Sequence, residues 1–237
     1  AVTFADNKFV KSLWLSVVNP GFISKEYVDG RRVNYIRPLQ LFFILNLVYF
    51  LFPILQLFSS SLRTQMYYLF HSTMARNMVV NRLTEEGLSL AAFELMFNAK
   101  TTSLAKLLIV IFVLLASIPL SIIYRKKNRY FTDHTTLAVE LACFNIFVNA
   151  ILLSAILWIT NIVLRWGNSG WEGYLNDSTL TVVFVATNLY FLLRASQTFY
   201  AQKGKRLYVK CALGIVGLFL ALEAYRIILF FLTFYLV

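Results

Sequence analysis

Long apolar runs separated by shorter polar stretches dominate the chain and predict membrane-spanning helices. Each run approaches or exceeds the ~20 residues that a hydrocarbon core of ~30 Å requires. The predicted spans are Leu39 to Phe58, Ser103 to Tyr124, His134 to Leu164, Ser178 to Tyr200 and Lys210 to Val237. The predicted fold class is therefore all-α, a polytopic transmembrane helix bundle of about five spans.

The residues before the first span have a different pattern. From Phe4 to Val18, most apolar residues fall on one helical face, while Lys8 and Lys11 lie on the other. This pattern predicts an N-terminal amphipathic helix at the membrane interface. Residues 19–38, which we call the collar, follow it. They are too polar to span a membrane and too aromatic for a free linker, so we expect them to be structured.

The chain thus divides into an amphipathic and charged cytoplasmic segment, residues 1–38, and a transmembrane helical bundle, residues 39–237. Within the bundle, residues 59–102 form a long polar connection. We expect it to cap the outer face with two amphipathic helices, around Leu62 to Val80 and Gly87 to Phe97. Pro53 is expected to kink the first span.

Composition and charge agree with a membrane protein. Of 237 residues, 59% are hydrophobic and 14% charged, more apolar than a soluble domain needs. A net charge of +11 would suggest nucleic acid in a soluble protein. Here the basic residues lie between apolar runs, so anionic membrane lipids are the favoured partner and nucleic acid is not. No cleavable signal peptide is expected, and Ala1 is not expected to be the natural start.

The distribution of basic residues predicts the orientation. With five spans, one side of the membrane has six basic residues in residues 1–37, four in 125–129 and five in 194–210. The other side has six, spread over longer connections. The positive-inside rule then places the N-terminus in the cytoplasm and the C-terminus outside.

Ionisable residues within spans are costly, roughly 2.5–3.5 kcal/mol each at the bilayer centre on insertion scales, so each requires a partner or a purpose. Glu223 and Arg226 lie three residues apart and share a helix face. A neutralised pair inside the bundle is the favoured interpretation, and a substrate or proton site is the alternative. Glu140 is structural if it reaches the basic loop or Arg194, and a candidate proton carrier if it faces water.

Other polar residues of the spans have simpler explanations. Asn145 and Asn149 lie one helical turn apart, which favours interhelical hydrogen bonds. Arg194, near the cytoplasmic end of the fourth span, is expected to extend to the lipid headgroups.

No catalytic or metal-binding motif is present in the sequence. The two cysteines, Cys143 and Cys211, lie in apolar runs without metal-ligand spacing. The two histidines, His71 and His134, are predicted on opposite sides of the membrane, which argues against a histidine-rich metal site. Asp133 beside His134 fits either a helix cap or general acid–base chemistry. We expect no metal and no cofactor.

The collar resembles the opening of an uncharacterised bacterial membrane family, domain-of-unknown-function family 3667. The matching positions are Pro20, Gly21, Glu26, Tyr27, Gly30, Arg32, Tyr35 and Pro38. A later block with Tyr130 and His134 at the start of a span is also similar, and a third block around Tyr190 and Tyr200 is loosely so. The resemblance implies a multi-pass protein of the bacterial inner membrane. Because the family has no assigned activity, the resemblance implies no reaction.

Three functions are compatible with this sequence. The favoured one is a non-enzymatic inner-membrane protein that binds anionic lipid or a protein partner, as a homo-oligomer or a subunit of a membrane complex. Its candidate binding residues are Glu26, Arg31, Arg32, Tyr35, Arg37, Arg125, Lys126, Arg129 and His134. The second is a small transporter or lipid-translocating protein using Glu140, Glu223 and Arg226. The third is an intramembrane enzyme acting on lipid-linked substrates. The residues expected to face the headgroups are then Asp133, His134, Glu26, Arg31 and Arg32.

Overall fold

The computed structural model describes residues 2–31, 33–51, 58–125, 128–157, 159–160 and 177–237, without the side chains of residues 2–7 and 177–180. Within these ranges the chain is helical and has no strand. Several predictions lie outside the described residues. They are the kink at Pro53, the end of the third span at 161–164, and the binding roles of Arg32 and Lys126.

Nine α-helices are found in the described residues. They are α1 (Val2–Val18), α2 (Phe22–Val28), α3 (Pro38–Leu51), α4 (Leu62–Tyr67), α5 (Ser72–Glu86), α6 (Leu90–Ile123), α7 (Phe131–Phe144), α8 (Asp177–Thr198) and α9 (Lys205–Leu236). A π-helical segment, Asn145–Leu152, continues directly from α7.

Three of the described helices are long and apolar enough to cross a membrane: Leu90–Ile123, Phe131–Leu157 and Lys205–Leu236. Helix α3 is apolar but shorter, with 14 described residues. The exposed residues of α6 include an apolar row at four-residue spacing, formed by Val110, Leu114, Ile118 and Ile122. Such a continuous apolar row is suited to contact with lipid. These helices support the prediction of an all-helical membrane protein.

The second span is part of a much longer helix than the hydrophobic pattern predicts. Helix α6 begins at Leu90 and has 34 residues, about 50 Å at 1.5 Å per residue. The separate amphipathic helix predicted around Gly87 to Phe97 is therefore wrong, because this stretch forms the first turns of α6. Phe93 and Phe97 are buried there, although the same turns carry the half-buried Glu94.

The other helix predicted in the polar connection is interrupted. Two helices, α4 and α5, replace the single helix predicted from Leu62 to Val80, and the chain turns between Tyr68 and His71. Ser61 is the N-cap of α4, and its hydroxyl accepts a hydrogen bond from the backbone N–H of Thr64 at 3.2 Å. The break allows Gln65 and His71, six residues apart in sequence, to meet. A continuous helix would hold them on different faces.

The described chain forms two compact units. Unit 1 comprises Ala1–Leu55 and Ser117–Gly217, and unit 2 comprises Gln56–Ala116 and Leu218–Val237. In unit 1, α7 contacts α1, α2 and α3, and it is buried along most of its length. The core of unit 2 is mainly aromatic and aliphatic. Its buried members are Leu62, Met66, Ala75, Val79, Phe93, Phe97, Phe230 and Phe234.

Helix α1 ends at Val18, as the sequence predicts, but its buried face is not the apolar one. Ser12 and Ser16 are buried, whereas Val10 and Trp14 are exposed. The hydroxyl of Ser12 accepts a hydrogen bond from the backbone N–H of Ile36 at 3.0 Å, which fixes the end of the collar to α1. Helix α1 therefore docks through small polar residues and leaves large apolar side chains on its outer surface.

Candidate functional site

The collar is held in place by Glu140 of α7. This buried carboxylate accepts hydrogen bonds from the backbone N–H of Gly21 at 2.9 Å and from that of Ser24 at 2.8 Å. The hydroxyl of Ser24 also donates to it at 2.5 Å. The first N–H groups of a helix lack intrahelical partners, and Gly21 has no side chain with which to cap α2. Glu140 supplies that cap from another helix.

Glu140 therefore has neither of the partners considered in the sequence analysis. Among the described residues, it forms no hydrogen bond or ion pair with a basic side chain of the loop or with Arg194, and it is 1% exposed to solvent. Arg194 itself is exposed on α8. The partial positive charge at the start of α2 and three donors explain why a carboxylate is placed here. Within the described residues, nothing connects Glu140 to a polar path.

Gly21 allows the collar to pack tightly against α8. Its φ angle is +82°, and a Cβ atom built at this position would lie 2.9 Å from the Cα atom of Ala195. Both the backbone conformation and the close approach require glycine. Next to it, the hydroxyl of Thr198 donates to the side-chain oxygen of Asn19 at 3.0 Å. The turn at Asn19–Gly21 is thus enclosed by α7 and α8.

Helix α8 also supplies a hydrogen-bond donor to the last carbonyl groups of α1. The hydroxyl of Tyr190 donates to the carbonyl oxygens of Val17 at 3.0 Å and Val18 at 3.2 Å. The last carbonyl groups of a helix lack intrahelical donors, so this hydroxyl completes the C-terminus of α1.

Ion pairs organise the charged part of the collar. The guanidinium of Arg31 lies on the carboxylate of Glu26, with Nη2 to Oε1 at 2.6 Å and Nε to both carboxylate oxygens at 3.0 Å. This hydrogen bonding raises the pKa of Arg31 above its ordinary value. Arg129 reaches Asp29 at 3.3 Å, and its guanidinium lies over the ring of Phe199 at 4.9 Å. The loop before α7 is therefore connected to the collar.

An open recess of about 170 Å³ lies in the collar. Its polar lining consists of the ion-paired Glu26 and Arg31 together with Tyr27, Tyr35 and Arg37. Ile23 and Ile36 complete the wall. Arg37 is exposed, and its guanidinium has no ion-pair partner among the residues described here. Two arginines against one glutamate leave the lining with a net positive charge.

Further basic groups surround this recess. The ammonium of Lys11 lies 5.2 Å from the centre of the Tyr35 ring. Lys8 donates to the carbonyl oxygen of Val33 at 2.8 Å, which places a second lysine of α1 beside the collar. The predicted residues Glu26, Arg31, Tyr35 and Arg37 are thus brought together, and Arg129 is linked to them through Asp29. Arg125 is exposed on the loop.

His134 does not belong to this surface. It is buried, and its Nδ1 atom lies 2.6 Å from the hydroxyl of Tyr200, whose ring stacks on Tyr124 at 3.8 Å. A contact with lipid headgroups, expected for His134, is incompatible with this burial. Asp133 accepts a hydrogen bond from the backbone N–H of Tyr130 at 3.1 Å, so it caps α7. Asp133 and His134 therefore form no open acid–base site.

The asparagines of the third span join it to α8. Asn145 and Asn188 exchange two side-chain hydrogen bonds of 3.0 Å each. Asn149 donates to Asn145 at 2.8 Å and accepts from the hydroxyl of Thr187 at 3.0 Å. The interhelical hydrogen bonds expected of Asn145 and Asn149 are therefore present. They coincide with the π-helical segment, whose wider turns are frequent at functional or tightly packed positions.

In unit 2, Glu223 and Arg226 form the expected pair. The Nη1 atom of Arg226 lies 2.9 Å from Oε1 of Glu223. Glu223 is almost completely buried, and Arg226 is partly exposed. The second carboxylate oxygen of Glu223, Oε2, has no hydrogen-bond partner among the described residues.

Sequence reasoning did not identify Ser24 and Tyr190 as residues that position the collar and the end of α1. Their partners are more than 110 residues away in sequence, so no local pattern connects them. The available signal was the cost of a buried Glu140, which requires donors somewhere in the fold. No group of three or more potential metal ligands occurs in the part of the chain that the structure describes.

Residues 6–50 match the model of a family described as "Protein of unknown function (DUF3667)". This match confirms the resemblance predicted from the collar, and it covers most of α1, the collar and most of α3. No curated protein and no solved structure matches the chain.

Proposed function

We propose that this chain is a non-enzymatic membrane protein that binds the headgroup of an anionic lipid in the recess of the collar. The observation that carries the proposal is the lining of this recess. It combines two arginines with two tyrosines, and the guanidinium of Arg37 is uncommitted among the described residues. Guanidinium groups bind phosphate through two parallel hydrogen bonds, and tyrosine hydroxyls can add neutral donors.

The shape of the recess favours a headgroup over a complete small-molecule substrate. Pockets for drug-sized ligands enclose most of the ligand surface. The recess is instead open to solvent and could hold only part of a ligand. A phosphate group could enter it while the acyl chains remain outside, next to the apolar surface of α1. Lys8 and Lys11 would add to the attraction of an anionic surface.

The proposal includes the predicted topology. Helices α3 and α8 would be two further spans beside the three candidate spans, in the bacterial inner membrane, with the collar on the cytoplasmic side. Excess positive charge in the collar and in the loops at 125–129 and 203–210 supports this orientation. An anionic inner leaflet would then face the recess.

A substitution that removes one positive charge from the recess tests the proposal. The full chain in neutral detergent is titrated with phosphatidylglycerol or with phosphatidylcholine, and bound lipid is counted by native mass spectrometry. Arg37→Gln should weaken phosphatidylglycerol binding about five-fold, the effect of one cation near an anionic group. Binding of phosphatidylcholine should not change.

Arg63→Gln is the matched control, since Arg63 is an exposed arginine of α4 and lies outside the collar. It removes the same charge and should leave lipid binding unchanged. Equal losses in both variants would indicate a general charge effect and would contradict a site at the recess. Unchanged binding in Arg37→Gln would also contradict it.

A further inference from the structure

Unit 2 contains a second polar cluster, which is independent of the collar and of lipid binding. His71 lies at the turn between α4 and α5, and Gln65 lies on α4. The Nε2 atom of His71 is 2.7 Å from Oε1 of Gln65. Because an amide oxygen only accepts, Nε2 carries the proton of the neutral imidazole. Nδ1 is then a hydrogen-bond acceptor.

The cluster continues on one face of α9. The ring centres of His71 and Phe230 are 5.8 Å apart. Glu223, Arg226 and Phe230 follow each other at spacings of three and four residues, so they lie on the same face. The ring of Phe70, next to His71 in sequence, lies 6.1 Å from the ring of Phe219, so the turn before α5 contacts α9 on both sides of Glu223 and Arg226. The charges of both residues act on the ionisation of His71. The histidine and the ion pair therefore belong to one neighbourhood.

Three polar atoms in this neighbourhood are buried without a hydrogen-bond partner among the described residues. They are Nε2 of Gln65, Nδ1 of His71 and Oε2 of Glu223. The residues that carry them are 0%, 8% and 7% exposed. A buried polar atom without a partner costs about 1–3 kcal/mol, and three in one place indicate a polar occupant. One donor and two acceptors match the hydrogen-bonding capacity of water.

We propose that water held by Gln65, His71 and Glu223 joins the imidazole and the carboxylate into a single proton-binding site. A proton taken up by this water passes to Nδ1 of His71 as one O–H bond breaks and one N–H bond forms. The product is an imidazolium beside the Glu223 carboxylate. Gln65 acts as a positioning residue, because its amide oxygen selects the tautomer that leaves Nδ1 free.

The surrounding charges are consistent with a site that is neutral at rest. Burial lowers the pKa of His71, which Glu223 raises and Arg226 lowers to smaller extents. On α5, the guanidinium of Arg76 is directed to the carbonyl oxygen of Met66 and to the ring of Tyr67. That of Arg82 is directed to Glu86. The carboxylate of Glu223 is thus the group that would stabilise a protonated His71.

Nuclear magnetic resonance of the full chain, labelled with ¹⁵N-histidine and held in detergent, tests this site. The sequence has two histidines, and His71→Gln identifies the signals of His71 by their loss. In the unsubstituted protein, His71 should be protonated at Nε2, and its carbon-bound Hε1, next to Nδ1, should show a nuclear Overhauser effect from bound water. His134, whose Nδ1 contacts the Tyr200 hydroxyl, is the internal reference.

The same measurement is repeated in Glu223→Gln. Loss of the carboxylate should move the titration midpoint of His71 to lower pH by about one unit. Glu86→Gln, which removes an exposed carboxylate of α5, should not move it. An equal midpoint in Glu223→Gln and the unsubstituted protein would overturn the proposal. If Glu223→Gln does not fold, the measurement on the unsubstituted protein tests the proposal alone. Protonation of His71 at Nδ1, or no contact of Nδ1 with water, would then overturn the proposal.

Discussion

Gly21 is the residue on which the position of the collar depends most directly. Its positive φ angle turns the chain from α1 into α2, and its missing side chain admits Ala195 of α8. The sequence indicates a turn here, because Asn19–Gly21 is typical of one. The contact with α8 cannot be predicted from the sequence, since no local pattern marks Ala195 as its partner.

Gly21→Ala and Gly30→Ala form a matched pair of substitutions. Both glycines have positive φ angles, +82° and +85°, but a Cβ atom at Gly30 would meet nothing within 4 Å. Gly30→Ala should therefore cost only the backbone term of about 1 kcal/mol. Gly21→Ala adds steric overlap with Ala195 and should cost about 3 kcal/mol. Thermal unfolding in detergent, followed by tryptophan fluorescence, measures both.

Equal losses of stability in the two variants would contradict the close approach of Gly21 to α8. A larger loss in Gly30→Ala would do so even more strongly. Neither substitution changes the charge of the collar, so lipid binding by the folded protein provides a separate measurement.

At the scale of elements, the short helix α2 depends on α7. It has 7 residues, too few for a stable isolated helix, and glycine precedes it. Its stability therefore comes from docking. Glu140 provides this by accepting hydrogen bonds at the N-terminus of α2, although it lies more than 110 residues later in the sequence.

Glu140→Gln tests this dependence. The substitution removes the negative charge and places an amide group against backbone N–H donors. Hydrogen bonds to charged groups contribute roughly 1.5–3 kcal/mol each, so we expect a loss of about 3 kcal/mol in unfolding free energy. Protection of the α2 amides from hydrogen exchange should fall first, because they lose their cap.

Glu86→Gln serves as the control for this measurement, because Glu86 is exposed and pairs with Arg82 within α5. Its effect should stay below about 0.5 kcal/mol. If Glu140→Gln unfolds at the same temperature as this control, the carboxylate does not hold the collar.

The element boundaries show where hydrophobic patterning succeeds. The end of α1 at Val18 is predicted correctly, and α3 starts at Pro38, one residue before the predicted Leu39, because glycine and proline impose local backbone constraints there. The start of α6 is not predicted correctly. The polar residues of its first turns resemble a connection, yet Phe93 and Phe97 are buried in the core of unit 2. Tertiary packing extends the helix beyond the apolar run.

At the scale of the whole molecule, topology is the main prediction. If α8 crosses the membrane in addition to the candidate spans of α6 and α7, the turn before α9 and the end of α5 lie on opposite sides. Lys203→Cys and Glu85→Cys, both at exposed positions, report these two places. They are introduced separately after Cys143 and Cys211, both buried, are replaced by alanine.

In intact bacterial cells, a membrane-impermeant maleimide should label the cysteine at position 85 and not the one at position 203. Both should react after the membrane is permeabilised, which confirms that each position is accessible. Labelling of both positions in intact cells, or of neither, would contradict an odd number of crossings between them. Labelling of position 203 alone would reverse the predicted orientation.

The sequence by itself determines the helical class, the long apolar runs and the positions of the basic loops. These are local properties, set by residue type and by periodicity over 10 to 30 neighbouring positions. It also places Glu26, Arg31, Tyr35 and Arg37 in one short segment, so their common surface could be anticipated.

Only the tertiary structure decides which buried polar groups meet. Glu140 caps α2, Asn145 pairs with Asn188, and His71 contacts Gln65 across a break between helices. A buried polar residue must have a hydrogen-bond partner, but the sequence of the chain does not show which residue that partner is. The identity of the partner depends on how the helices pack, and packing is decided by shape complementarity among residues that are distant along the chain.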